Sequence, residues 1–485
     1  MKQWSDKFVL VLGLGETGLS LVRWLSAQGA RLRVADSRAV PPGMDEVGRY
    51  VAADQLFCGP FSDALFEGID LITISPGVPL ADPFVQRALA RGIPAVGDIE
   101  LFAQQLRTKE KGEGGREKGK CGAEVLPFTL TSSPFTAKVL AITGANGKTT
   151  VTSMVEHLCK AAGKDAVAAG NISPAVLDVV LARGIHQPEV WVLELSSFQL
   201  ESTSSLNADA ATVLNISEDH LDRYADMDEY SAAKARIFTG CSVQVLNRDD
   251  ARSLNMARAG SKVISFGLNL PDSENDFGIE SAQDGIWLVQ GQQRLLEASE
   301  LQVAGLHNVA NALAALALCR AIDLPMPVLL DALRSFKGLP HRVEQVADIN
   351  GVIYYDDSKG TNVGATIAAL QGLGRPTVLI AGGEGKGQDF APLNPVVAQH
   401  ARAVVLIGRD ASLIEAALNG CGVQMLRAKD MPDAVQQSAQ LAQSGDAVLL
   451  SPACASFDMF RNYAHRAEVF VEAVKELERE GAWSH

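Results

Sequence analysis

Gly144-Ala145-Asn146-Gly147-Lys148-Thr149-Thr150 follows the apolar run Val139–Thr143 and leads into a helical stretch. A strand, a glycine-lined turn and a helix aim backbone N–H groups at one point, where an anion such as a phosphate can sit. Gly144 and Gly147 permit the tight turning that this requires. Lys148 is placed to hold the β- and γ-phosphates of a nucleotide, and Thr149 or Thr150 to offer a hydroxyl to Mg²⁺. The strict GxxxxGK[ST] pattern is not met, because Ile142 stands where its first glycine belongs. A plain glycine turn with an incidental lysine is the alternative.

Two later segments end apolar runs with groups suited to a hard cation. Glu194 closes Val190–Leu193 and is followed by Leu195-Ser196-Ser197-Phe198-Gln199-Leu200-Glu201. His220 lies in Asn215-Ile216-Ser217-Glu218-Asp219-His220-Leu221-Asp222. A carboxylate ending an apolar strand is costly without a cation or donors. Each residue alone also suits an ordinary role, the Glu beside a helix cap and the His as a satisfied structural group. Downstream of a phosphate loop, the pair points to Mg²⁺ beside a nucleotide.

The phosphate loop resembles the short loop of the Mur ligases and folylpolyglutamate synthases, and both later segments resemble the Mur ligases, over nearly the whole chain except about 107–137. These enzymes make amide bonds by activating a carboxylate with ATP. The resemblance implies that Glu194 and His220 bind Mg²⁺, with Thr149 and a second ion in the same set. It places Asn171, in Gly170-Asn171-Ile172, near the transferring phosphate. It also implies a carbamate, formed with CO₂, on Lys234; the local spacing of Tyr230–Phe238 by itself reads as a solvent-facing helical lysine.

Gly13-Leu14-Gly15-Glu16-Thr17-Gly18 follows another strand-like run, and Asp36 ends the next one. This is the dinucleotide fingerprint, so an NAD-dependent dehydrogenase or a nucleotide-sensing regulator is the main competing reading. The physics says only that an anion can sit at a helix N-terminus. In the Mur ligases a domain similar to the Rossmann fold holds the UDP of the substrate, and the matching positions are Glu16, Thr17, Ser37, Arg38 and Gly77. Glu16 departs from the apolar residue of that pattern.

Three more strand ends carry polar clusters: Asp356–Asn362, Gly382–Lys386 and Ser451–Phe460. Open α/β sheets bind ligands at such an edge. By resemblance, Asn308 contacts adenine, and Arg342 and Asp357 reach ATP. Thr361 and Lys386 face one carboxylate of D-glutamate, while Ser456, Phe457 and Tyr463 frame the other; Tyr463 stands where the family often has Phe. The DNPR-type motif of the ligase adding the third residue is missing, and Ser451–Ser456 resembles the member that takes D-glutamate. The implied reaction joins D-glutamate to UDP-N-acetylmuramoyl-L-alanine through an acyl phosphate, in peptidoglycan precursor synthesis. A neighbouring ligase, adding L-alanine to the sugar or glutamate to folate, is the other alternative.

Positioning these groups requires several sheets. The 485 residues suffice for roughly three domains, and 47% hydrophobic with 21% charged residues is a globular balance. Short apolar runs alternate with helical stretches throughout, the rhythm of βαβ units and parallel sheets. The expected architecture is α/β: a Rossmann-like UDP-binding domain over 1–106, a P-loop ATPase-like domain binding ATP and Mg²⁺ over 138–338, and a Rossmann-like amino-acid domain over 339–485. Residues 107–137, with KEKGEGGREKGK at 109–120, read as a charged flexible linker or insertion. The net charge of −14 disfavours nucleic acid and anionic membranes. Seven scattered cysteines and a polar start suit a soluble cytoplasmic protein. The expected partners are small-molecule substrates, and the expected state is a monomer.

Overall fold

The computed structural model describes residues 4–111, 137–218 and 223–482. They form two compact units, one built mainly from the chain up to Phe266 together with residues 314–329, the other mainly from Gly267 onward.

The first unit begins with β1 (Phe8–Leu12), α1 (Glu16–Ala27), β2 (Arg31–Asp36), β3 (Leu56–Cys58), β4 (Leu71–Ile74) and β5 (Ala95–Val96). All pair in parallel, in the order β3-β2-β1-β4-β5. Val9 and Val11 enter one apolar cluster and Leu10 and Leu12 another, as required of a strand covered on both faces. The chain order reverses between β1 and β4, so their C-terminal loops flank a crevice.

Helix α2 (Asp98–Lys111) follows. It runs into the segment expected to be a loop, because Thr108-Lys109-Glu110-Lys111 are helix-compatible and the first breaker is Gly112. The rest of that expected loop, 112–136, lies outside the described residues.

Strand β6 (Lys138–Thr143), α3 (Lys148–Ala161), β7 (Ala166–Gly170), β8 (Val190–Glu194), α4 (Ser197–Glu201), β9 (Ala210–Val213), α5 (Met227–Ala235), β10 (Val243–Asn247) and β11 (Lys262–Phe266) complete this unit. The strands are parallel in the order β11-β10-β9-β6-β8-β7. Buried polar bonds sew α2 to this sheet. Glu100 accepts from Ser204 N and Ser205 N at 2.7 and 2.9 Å, and Asp98 accepts from Gln199 Nε2 at 3.2 Å. Burial pushes the Asp98 carboxyl up to about 6.

The second unit contains an antiparallel meander, β12 (Phe277–Ala282), β13 (Gly285–Gln290) and β14 (Gln293–Glu297), that the αβ rhythm did not announce. Helix α6 (Leu306–Ala321) comes next, its residues from 314 onward counted with the first unit. Then β15 (Glu344–Ile349), β16 (Val352–Asp356), α7 (Val363–Gly372), β17 (Thr377–Gly382), β18 (Ala401–Ile407), β19 (Gln424–Arg427), β20 (Ala447–Leu450) and α8 (Tyr463–Ala482) follow. The sheet order is β15-β16-β20-β17-β18-β19, parallel except for β15. No helix among the described residues is long and apolar enough to cross a membrane.

Candidate active site

In the first unit the edge after β6, β7 and β8 gathers the phosphate loop, Asn171 and Glu194. Gly147, the residue before α3, has φ +82°, a conformation natural to glycine, and this turns the chain so that Lys148 opens the helix. Asn215, at the end of the neighbouring β9, brackets the loop: its Oδ1 accepts from Asn146 N at 2.8 Å and its Nδ2 donates to Asn146 O at 3.1 Å. Lys148 Nζ folds back to Gly144 O and Ala145 O, both at 2.9 Å. Thr149 is half-buried and Thr150 buried at the start of the helix.

Glu194 is buried at the end of β8, 2% exposed. Asn171 holds it twice, N to Glu194 O and Nδ2 to Glu194 Oε1, each at 2.8 Å. Among the described residues, none donates a hydrogen bond to Glu194 Oε2. A buried carboxylate oxygen without a donor suits a cation, so the residues present fit a hard metal ion here. His220 lies outside the described residues.

Lys234 is not solvent-facing. It is 2% exposed, its Nζ donates to Gly144 O at 2.9 Å, and it sits 4.7 Å above the Tyr230 ring centroid. The lysine and the phosphate loop therefore touch.

The crevice between β1 and β4 opens into a cavity of about 500 Å³. Glu16, Thr17, Ser37, Arg38 and Gly77 line one side, and Asn171 with Gln199 the other. Gly18 is required where it stands, since a Cβ there would lie 1.8 Å from Gly13 O. Asp36 is committed within the protein. Its Oδ2 accepts from Leu14 N at 2.7 Å and from Arg38 Nη2 at 2.6 Å, and its Oδ1 from Arg38 N and Nε at 2.8 and 2.9 Å. The Arg38 guanidinium holds the Asp36 carboxyl down at about 2. In a dinucleotide site this carboxylate would take a ribose hydroxyl; here Arg38 occupies it.

In the second unit β16, β20 and β17 are adjacent, so the three polar strand ends meet. Asp357 is buried and accepts from Ser451 Oγ at 2.7 Å; burial raises its carboxyl to about 7, against the pull of the Arg342 charge. Glu384 and Ala455 exchange two backbone bonds of 2.9 Å. Ser456 is buried, Thr361 half-buried and Lys386 exposed, while Phe457 is 65% and Tyr463 37% exposed. Lys359 Nζ lies 3.8 Å over the Tyr463 ring. Asn308 is buried near the start of α6, donating to Ala304 O at 2.7 Å and accepting from Asn311 at 3.1 Å. His341, Glu344 and Asp356 could also group around a metal, but His341 and Ser358 N already hold Asp356, at 2.7 and 2.9 Å.

Sequence reasoning missed Asn215 as a bracket, Gln199 as a cavity wall and Arg466. Arg466 is fully buried and donates to Ser358 O and Cys454 O at 2.8 and 3.1 Å, fixing two of the strand-end loops; burial lowers its guanidinium to about 10. An arginine among Ala464, Ala467, Val469 and Phe470 was the available signal.

Three family descriptions match the chain: the N-terminal domain of the MurD-like Mur ligases at residues 7–97, the Mur ligase middle domain at 142–319, and the Mur ligase glutamate ligase domain at 341–454. A UDP-N-acetylmuramoylalanine–D-glutamate ligase of Nitrosomonas europaea is 54% identical, with 98% of each chain covered. That of Methylobacillus flagellatus is 57% identical over 99% of each. The chain belongs to the Mur ligase family. Among solved structures, the UDP-N-acetylmuramate–alanine ligase of Thermotoga maritima shares the fold, with a TM-score of 0.56 and 19% identity over 97% of this chain and all of that one. As a Mur ligase the chain is an ATP-dependent, amide-forming enzyme, and the redox reading of the N-terminal glycines falls.

Proposed function

We propose that this Mur ligase joins D-glutamate to UDP-N-acetylmuramoyl-L-alanine, forming ADP and phosphate, in cytoplasmic peptidoglycan precursor synthesis. The observation that carries the reading is the cavity walled by the first glycine loop on one side and by Asn171 on the other. It lets one elongated substrate keep its nucleotide at β1 and β4 and its carboxylate beside Glu194. The names of the relatives at 54% and 57% identity agree with it.

Arg38, Thr17 and the backbone around Gly77 hold the nucleotide-sugar, with Glu16 and Ser37 at its rim. Lys148 and the N–H groups of Gly144–Thr150 hold the terminal phosphates of ATP, to which Asn308, Arg342 and Asp357 contribute. Glu194, Thr149 and His220 would hold Mg²⁺, which would neutralise the phosphates against the incoming carboxylate. The L-alanyl carboxylate attacks the γ-phosphate and ADP leaves. The amine of D-glutamate, held by Thr361, Lys386, Ser456, Phe457 and Tyr463, attacks the acyl phosphate and expels phosphate. Lys148 stabilises the charge that develops in the first step.

Lys234 is assigned a carbamate. Its Nζ, buried 2.9 Å from Gly144 O, stands beside the phosphate loop, and a carbamate there would form by addition of CO₂ to the amine with loss of a proton. The working species is a monomer.

Phosphate release with UDP-N-acetylmuramoyl-L-alanine, ATP and a panel of amino acids tests the assignment. Turnover with D-glutamate and none with L-alanine, L-glutamate or L-lysine is expected; turnover with a different amine, or none with any, overturns it.

A further inference from the structure

Two backbone carbonyls of the turn that rims the cavity, at Pro76 and Val78, accept from a single guanidinium. Arg223 Nη1 donates to Pro76 O at 2.7 Å and Nη2 to Val78 O at 3.3 Å. The same group lies 4.0 Å over the Phe198 ring centroid, with Nη2 3.4 Å from Glu201 Oε2. Phe198 and Glu201 belong to α4, the helical turn that follows Glu194. The Arg223 side chain is 13% exposed.

The contacts continue past Arg223. Tyr224 donates to Glu201 Oε1 at 2.6 Å and stacks on Phe198, the centroids 6.1 Å apart and the planes 22° apart. Its ring tilts against Tyr230 at 5.3 Å, and Tyr230 carries Lys234 above its face. An unbroken series of side chains thus runs from the Gly77 turn through Arg223 to Lys234, and through Gly144 O to the phosphate loop.

We infer that Arg223 is a positioning residue that keeps the nucleotide-sugar turn in register with the phosphate-transfer edge. The inference rests on the proposed function for the identity of the two ligands. A planar guanidinium can meet two carbonyls, a carboxylate and a ring face at once; an ammonium has no plane and cannot. In-line attack depends on ångström-scale placement, so a turn that drifts misplaces the carboxylate at the far end of the same substrate.

Full-length Arg223→Lys and Arg223→Gln test this by calorimetric titration with UDP alone, and separately with a non-hydrolysable ATP analogue and Mg²⁺. Steady-state KM values for all three substrates accompany the titrations. Both variants are expected to bind UDP about tenfold more weakly, the scale of one lost hydrogen bond from a charged donor. KM for the nucleotide-sugar rises in parallel, while affinity for the ATP analogue and KM for D-glutamate stay within about twofold. Unchanged UDP affinity, or rescue by lysine, overturns the inference. So does a uniform fall in kcat with all three KM values displaced, the mark of a general structural defect. Wild-type protein that binds no UDP refutes the proposed function instead. Should both variants fail to fold, Phe198→Leu removes the ring and leaves the donors; about threefold weaker UDP binding supports the inference and unaltered binding overturns it.

Discussion

The two glycine loops of the first unit are built alike and equipped differently. Each follows a buried parallel strand and opens a helix, and each lies at a strand-end edge. The first has no cation within the loop; the charge it offers a ligand is Arg38, tied to Asp36 on the next strand. The second has Lys148 at the helix start, Lys234 against its first carbonyl and the buried carboxylate of Glu194 one strand away. A glycine turn thus specifies only that an anion is welcome. The residues on adjacent strand ends decide whether that anion is held or made to react.

Substitutions that strip one loop and spare the other test this division. Lys148→Ala is expected to lower ADP formation about a thousandfold while leaving UDP affinity unaltered, as charge stabilisation belongs to the second loop alone. Joint loss of both in a folded variant would break the contrast. Lys234→Ala should cost about a hundredfold in kcat, the scale of a lost metal-supporting group, and short carboxylates should restore part of it. Full activity in that variant would end the carbamate assignment. Glu194→Gln should move the Mg²⁺ concentration for half-maximal rate upward by about tenfold or more, read from a metal titration at saturating ATP. Arg38→Ala should weaken UDP binding about tenfold and leave KM for ATP within about twofold.

The smallest effect concerns stability. Asp36 has its carboxyl held near 2 in the folded protein, against about 4 for a free aspartate. The stabilisation is therefore present above pH 4 and is lost as pH falls towards 2. Denaturant melts of Asp36→Asn and wild type should differ by a constant amount near neutrality and converge in acid; a gap that widens in acid contradicts the Arg38 pairing.

Much of this was legible in the residues. Phe8–Leu12, Leu71–Ile74 and Ala447–Leu450 were readable to the residue because apolar runs there stop at glycine, serine or proline. The meander β12–β14 was not: polar residues interrupt β12 and β14, and the short apolar run Ile286–Val289 in β13 stands alone between them. The loop residues around Lys148 could be picked out because their backbone demands glycine. The burial of Lys234 could not, because Tyr230 is the one large ring on its face of a mostly polar and small helix, and the atoms Nζ meets, at Thr143 and Gly144, lie some ninety residues earlier. Arg466 was hidden in part for the same reason, since Ser358 lies more than a hundred residues earlier, although Cys454 is only twelve away.

On the proposed assignment of Glu194 as a Mg²⁺ ligand, magnesium is also linked to the endurance of the fold. A buried carboxylate oxygen that meets no donor among the described residues costs free energy in the native state and none in the unfolded chain, where water satisfies it. An ion that settles there removes that cost and binds only the native form, so mass action raises the melting temperature as the free metal concentration rises. Cells starved of magnesium would then hold an enzyme that is slower to turn over and also easier to unfold and degrade.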